Sequence, residues 1–210
     1  GKTTLFNCIS GLHTSTSGRI IFDGEDITAL KAHEVARHGL GRTFQVYVAA
    51  GDLTVLENVM VGCFMRTRFR SRAKANAIEI LKNMAIEDLS DYLVNELPVA
   101  AQKRVTMATA IGSGPKLLLL DEVAAGLNPS EIEGIMASIK HIHEQMGITV
   151  ILIEHVMELV MKVSHRLIVL DYGEKIAEGD PETISKSPLV IKAYLGERYA
   201  REHKEGLAKD

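Results

Sequence analysis

Residues 116–122 read "KLLLLDE": four consecutive leucines, Leu117 to Leu120, run straight into two acids, Asp121 and Glu122. An unbroken apolar run of this length, bounded by charge, fits a strand covered on both faces better than a strand with one wet face, which would alternate. The pattern repeats downstream. "ITVILI" at 148–153 and "RLIVLD" at 166–171 are further short apolar runs, and helical stretches separate them: "PSEIEGIMASIKHIHEQM" at 129–146 and "VMELVMKV" at 156–163. Apolar strands alternating with helices predict a parallel sheet with helices on both faces. Asn128, Pro129 and Glu131 supply an N-cap, a first-position proline and an acid in the first turn of the longer helix.

Working outward, "GRIIFDGEDI" at 18–27 reads as an antiparallel hairpin turning at Asp23-Gly24. Thr54 and Glu57 form a capping box that opens a helix, and a second helix is expected over 73–86, "AKANAIEILKNMAI". Between them "RTRFRSR" at 66–72 spaces its arginines by two, which suits an exposed connection. The tail from Gly196 is charged and reads as a frayed helix or disordered end.

The chain has 210 residues, 46% hydrophobic and 24% charged, enough for a full core in one domain with a subdomain. A net charge of −3 argues against nucleic acid as a partner. Cys8 and Cys63, far apart and without paired spacing, read as reduced, buried thiols. No apolar run approaches the ~20 residues of a membrane span. His141 and His143, two apart on a helix, do not share a face for a metal, and Met157 and Met161 read as core packing.

Four elements carry chemistry, and their order matters more than any one of them. "GKTT" at 1–4 is the closing half of a phosphate-binding loop, in which backbone N–H groups and a lysine hold phosphates. "GRTFQ" at 41–45 ends a strand on Gln45, whose amide can touch both a metal and a water. Asp121 stands where a phosphate-transferring enzyme places an acid that helps hold Mg²⁺, and Glu122 can polarise the attacking water. "TVILIEH" ends on Glu154 and His155, putting an imidazole within reach of a terminal phosphate.

Together these segments resemble the ATP-binding subunits of ABC transporters, over nearly the whole chain. "GKTT" resembles the end of the Walker A motif, "RTFQ" the Q-loop, "LLLLDE" the Walker B motif, "AAGLNP" at 124–129 the D-loop and "IEH" the H-loop. Within that family, "LTVLENVMVG", "LLLLDEVAAGLNPSE", the run 153–182 and the closing "SPLVIKAYLGE" are most similar to the ATPases of branched-chain amino acid importers. The resemblance implies a P-loop NTPase fold of mixed α/β type: a RecA-like parallel sheet with helices on both faces, an antiparallel β hairpin region and a helical subdomain. It implies a core lobe at 1–45 and 101–195, a signature subdomain at 46–100 and a tail at 196–210.

It further implies roles, residue by residue. Gly1, Lys2, Thr3 and Thr4 would lie at the nucleotide, Lys2 on the terminal phosphates and Thr3 on Mg²⁺, with Asp121 in the metal's outer sphere and Gln45 also at the metal. Glu122 would be the general base, His155 the sensor of the γ-phosphate, and Gln45 the link to the membrane partner. Gly126 and Asn128 would sit where two subunits meet around ATP. The implied partners are integral-membrane permease subunits, a second ATP-binding subunit and, indirectly, a periplasmic or extracellular binding protein, with the chain peripheral on the cytoplasmic face of the cell membrane. Other expectations are the ATPase of a lipopolysaccharide exporter and a soluble relative acting on nucleic acid or ribosomes.

Two departures from the family pattern stand out. The earlier glycines of the phosphate loop, the strand before them and the aromatic that stacks on adenine are expected upstream of Gly1, so the chain reads as N-terminally truncated and inactive by itself. The signature LSGGQ is replaced by "LPVAA" at 97–101. Pro98 stands in place of serine and lacks an N–H; Val99 and Ala100 stand in place of glycines, followed by Ala101. This predicts an asymmetric pair of sites in a hetero-dimer.

Overall fold

In the computed structural model, residues 1–43 and 50–193 are described. The chain divides into two compact units, residues 3–156 and residues 1–2 with the chain from Met157 onward. The larger unit contains, in order, α1 (Lys2–Ile9, whose first residue belongs to the smaller unit), β1 (Ile21–Phe22), β2 (Glu25–Asp26), α2 (Ala32–Arg37), β3 (Leu40–Arg42), α3 (Val55–Cys63), α4 (Arg70–Asn83), α5 (Val99–Gly112), β4 (Leu117–Asp121), α6 (Pro129–Glu144) and β5 (Thr149–Ile153). The smaller unit holds α7 (Met157–Val163), β6 (Leu167–Asp171), β7 (Glu174–Gly179) and α8 (Pro181–Ser185).

The quoted leucine run is the middle strand of a three-stranded parallel sheet ordered β3-β4-β5. Leu117 pairs with Leu40 on one side and Thr149 on the other, and Asp121 pairs with Ile153. All five residues of β4 are buried, as its unbroken apolar pattern requires. Leu117 and Leu119 join Phe6, Ile27, Val35, Leu40 and Ile153 in one core cluster. This cluster fixes α1, α2 and the sheet against each other.

Local signals explain most element starts. Asn128 Oδ1 accepts from Glu131 N at 3.0 Å while Glu131 Oε2 accepts from Asn128 N at 2.9 Å, a complete capping box at the start of α6. Thr54 and Glu57 do the same for α3. Asp23 (φ 52°) and Gly24 (φ 82°) turn β1 into β2 through the left-handed region, as a two-residue hairpin demands.

Five expectations are corrected. "RLIVLD" is not a parallel strand: among the described residues β6 pairs antiparallel with β7, closed by Tyr172 and Gly173, both at positive φ. The "RTRFRSR" segment is only partly a connection, because α4 begins at Arg70 and ends at Asn83. β5 alternates in exposure, so it is not covered on both faces. Met157 is exposed, and Leu159 is the residue of α7 that is buried. Cys63 is buried and Cys8 half-buried, both reduced; burial pushes the Cys63 thiol up.

α3 and α5 pack closely because glycines face each other. A Cβ on Gly62 would lie 1.9 Å from the Thr109 carbonyl oxygen, and one on Gly112 would lie 2.9 Å from Cys63 N. Backbones at this spacing leave no room for a side chain.

Candidate functional site

The carboxyl ends of β3, β4 and β5 lie side by side, the edge where open α/β sheets place their ligands. Asp121 closes β4 with its side chain 1% exposed. Its backbone N donates to Thr43 Oγ1 at 3.2 Å, and Thr43 N donates to the Leu119 carbonyl at 2.9 Å, so the chain leaving β3 grips the end of β4.

The next residue leaves the strand sharply. Glu122 has φ 51°, a left-handed conformation uncommon for a residue with a side chain. Its N–H is held by the Ile153 carbonyl at 2.9 Å, and its own carbonyl accepts from Lys103 Nζ at 3.2 Å. The turn swings the carboxylate toward the end of β5, where His155 Nε2 lies 2.8 Å from Glu122 Oε1. The structure thus brings together Asp121, Glu122 and His155.

Glu154 is 7% exposed and acts inward. Its Oε1 accepts from Ala124 N at 2.8 Å and its Oε2 from His155 N at 3.3 Å, tying the segment after Glu122 to the end of β5. Lys103 on α5 faces this pair of acids. Burial pushes its pKa down, and the charges of Glu154 and Glu122 partly offset that.

The residues of "GKTT" lie at the start of α1, with Thr3 and Thr4 exposed in its first turn. N-terminal helix turns present unpaired N–H groups and a partial positive charge, which suits phosphate. One turn further along, Asn7 and Ser10 meet Arg42. Arg42 Nη1 donates to Asn7 Oδ1 and Ser10 Oγ, both at 2.8 Å, and Nη2 donates to Asp121 Oδ2 at 3.0 Å. The Phe6 ring lies under the same guanidinium, 5.7 Å from centroid to Cζ.

Gln45 lies outside the described residues. Pro98 is the N-cap of α5, without a side-chain cap bond, and Val99, Ala100 and Ala101 form its first turn. Gly126 (φ 78°) and Asn128 are exposed in the segment between β4 and α6, Asn128 with its side chain engaged as the helix cap.

Asp121 Oδ1 is buried and has no hydrogen-bond partner among the described residues. A buried carboxylate oxygen left bare is costly unless a cation or donor reaches it. A carboxylate oxygen of this kind, like the hydroxyl of Thr3 in the first turn of α1, is a hard donor of the type Mg²⁺ prefers, so the chemistry of these side chains fits that ion.

Sequence reasoning singled out Asp121, Glu122 and His155 but overlooked Arg42, Lys103 and the inward role of Glu154. The available signal for Arg42 was a charge at a strand end followed by threonine, inside the same "GRTFQ" that drew attention to its glutamine.

Residues 1–125 match the family described as ABC transporter, and residues 174–200 match that described as branched-chain amino acid ATP-binding cassette transporter. The chain is 38% identical over 213 residues to the high-affinity branched-chain amino acid transport ATP-binding protein BraF of Pseudomonas aeruginosa, spanning 94% of this chain and 83% of that protein. It is 35% identical over 212 residues to the corresponding protein LivG of Escherichia coli K12, with the same coverage. Among solved structures, the ADP conformation of MJ1267, an ATP-binding cassette of an ABC transporter, superposes with a TM-score of 0.83 at 29% identity, over 94% of this chain and 84% of that one.

Proposed function

The chain belongs to the ABC transporter family, and from that premise we propose that it is the ATP-binding and ATP-hydrolysing subunit of a branched-chain amino acid importer. The single observation that carries the catalytic part is the 2.8 Å pair of Glu122 and His155, next in sequence to Asp121, whose Oδ1 is buried without a hydrogen-bond partner among the described residues. The importer assignment rests on the likeness to BraF and LivG and on the match at 174–200; a lipopolysaccharide exporter or a soluble relative acting on nucleic acid or ribosomes is not favoured by them.

In this reading Lys2 and the N–H groups around Gly1, Thr3 and Thr4 bind the phosphates of ATP. Glu122 holds the attacking water and takes its proton, and His155 orients that carboxylate while facing the terminal phosphate. Asp121 and Thr3, with Gln45, hold Mg²⁺, which when bound neutralises charge on the phosphates. Glu154 and Lys103 keep the turn at Glu122 in place.

Among the described residues no helix is long and apolar enough to cross a membrane. The chain works as a peripheral subunit on the cytoplasmic face, against permease subunits. Exposed Val61, Phe64, Met65 and Phe69, clustered in sequence at and after the end of α3, support an apolar contact with such a partner. A second ATP-binding subunit completes two sites, with Gly126 and Asn128 at the junction. Because Pro98 offers neither hydroxyl nor N–H and Val99 projects a side chain, the site completed by this chain's signature is the weaker one. ATP binding then favours the closed dimer and shifts the permease between its states. A binding protein outside the membrane delivers the substrate.

The test is uptake of labelled leucine, isoleucine and valine in cells lacking the gene. Restored uptake with the wild-type gene, and none with Glu122→Gln, is expected. Unchanged uptake in the deletion strain overturns the importer reading.

A further inference from the structure

The Arg42 guanidinium joins three elements that surround the phosphate end of the site, and it does so out of water: its side chain is 7% exposed and that of Asp121 1%. Arg42 itself ends β3. Among its acceptors, Asn7 lies on α1, Ser10 stands three residues on in the turn that closes that helix, and Asp121 ends β4. The hydroxyl of Ser10 is committed as a donor to the Phe6 carbonyl at 2.8 Å, so its lone pair is what meets Arg42. Asn7 presents its amide oxygen. Asn7 and Ser10 thus both present acceptors to one planar donor group whose face lies over the Phe6 ring, which a flexible ammonium cannot satisfy in the same way.

The pairing with Asp121 is one-sided. Arg42 takes Oδ2, and Oδ1 is left buried without a hydrogen-bond partner among the described residues. A guanidinium placed to neutralise a carboxylate for its own sake would engage both oxygens in the fork geometry. This one engages a single oxygen and spends its other terminal nitrogen on α1. Thr3 lies one turn before Asn7 on that helix, so whatever fixes Asn7 against Asp121 also fixes the Thr3 turn against Asp121.

We propose that Arg42 is a spacer that sets the separation of the first turns of α1 from Asp121, and so the fit of this site to Mg²⁺, while touching neither nucleotide nor metal. The proposal rests on the magnesium reading given above. Mg²⁺ demands near-ideal octahedral geometry and tolerates misplacement of its holders far less than Ca²⁺ does. A small change in the spacing of two elements therefore weakens Mg²⁺ selectively.

The experiment measures binding of a fluorescent ATP analogue to the full-length subunit in EDTA, in Mg²⁺ and in Ca²⁺. Two variants are compared with wild type: Arg42→Lys, and the double variant Asn7→Ala with Ser10→Ala. The double variant keeps the Arg42–Asp121 pair and removes only the acceptors on α1, so it tests the spacer even where the Arg42 substitution prevents folding. In both, the tightening produced by Mg²⁺ is expected to fall by about tenfold, as for loss of other partners that orient metal ligands. Affinity in EDTA stays within about twofold and the Ca²⁺ effect is smaller. Retention of the full Mg²⁺ effect in the double variant overturns the spacer, and so does an equal loss in EDTA and in Mg²⁺. Absence of any metal effect in the wild type is a different result: it overturns the magnesium reading, and the spacer with it.

Discussion

His155 Nε2 and Glu122 Oε1 are 2.8 Å apart, joining the second residue after β5 to the first residue after β4. An ionised carboxylate only accepts, so with Glu122 ionised it is the imidazole that donates across this contact. The imidazole is the more exposed partner, with its side chain 56% exposed against 17% for the glutamate. Under the proposed function, an approaching phosphate would meet the more exposed histidine first. Glu122→Gln is expected to lower single-turnover ATP hydrolysis by about 10²- to 10⁴-fold, the range for a lost general base, with ATP binding retained. Radiolabelled ATP in a filter assay measures both quantities on one preparation. Hydrolysis at the wild-type rate in Glu122→Gln removes Glu122 from the role of base.

Lys103 acts on the same turn from α5. Its ammonium supports the carbonyl of a residue at φ 51°, and without it the peptide after β4 loses a partner on one side. Lys103→Met keeps much of the side-chain volume and deletes the donor. Its expected effect is a fall in kcat of about tenfold to a hundredfold with KM little changed, the signature of a misplaced catalytic group rather than lost binding. Lys103→Arg, which restores a donor, recovers part of the loss. Steady-state kinetics of the two variants in the assembled transporter decide it; an unchanged kcat in Lys103→Met shows that the turn needs no such support.

The parts of the fold that could be read in advance are those in which a local rule acts alone. A strand buried on both faces has no wet face to pattern, so Leu117 to Leu120 announce β4 directly. Capping boxes act over three residues, and both Thr54 with Glu57 and Asn128 with Glu131 are where the sequence puts them. β6 looked the same as a central strand because apolar runs do not state their pairing. Tyr172 and Gly173, a turn dipeptide followed by "EKIAEG", were the clue to the hairpin. Asp121, Glu122 and His155 were legible since the first ends an apolar strand and the others come just after one; Arg42 was not, because these partners lie 35, 32 and 79 positions away along the chain.

The capping box at α3 makes part of the stability depend on pH. Thr54 N donates to Glu57 Oε2 at 3.0 Å, and the Thr54 hydroxyl lies 3.2 Å from the same oxygen. These bonds, the backbone one first, hold the Glu57 carboxyl below its ordinary value of 4.5. A depressed carboxylate contributes stability above its unfolded value, and loses it as pH falls through the folded value. Thr54→Ala is expected to cost about 1 kcal/mol near neutral pH, the usual worth of such a cap. The gap between wild type and variant narrows in acid, as Glu57 takes up a proton. Urea unfolding at about pH 7 and about pH 3 measures it, and a gap that widens on acidification reverses the sign argued here.

The tightest packing in the larger unit gives the sharpest stability prediction. Gly62 on α3 lies against α5 so closely that an added methyl would sit 1.9 Å from the Thr109 carbonyl oxygen, which is helix backbone and cannot swing aside. Gly112 makes the matching approach from α5, where a Cβ would meet Cys63 N at 2.9 Å and the Val59 carbonyl oxygen at 3.0 Å. On an isolated helix Gly→Ala is stabilising, by roughly 1 kcal/mol, because it removes backbone freedom from the unfolded chain. Here the steric term wins, since separating the two helices also strips contacts from Val59 and Val105, both fully buried. Gly62→Ala is therefore expected to destabilise by about 1 to 3 kcal/mol, the range for overpacking. Gly134→Ala on α6, whose Cβ would meet nothing within 4 Å, is expected to be neutral or stabilising. Thermal unfolding of the two variants side by side checks the contrast, and a Gly62→Ala protein as stable as wild type shows that α3 and α5 can part without cost.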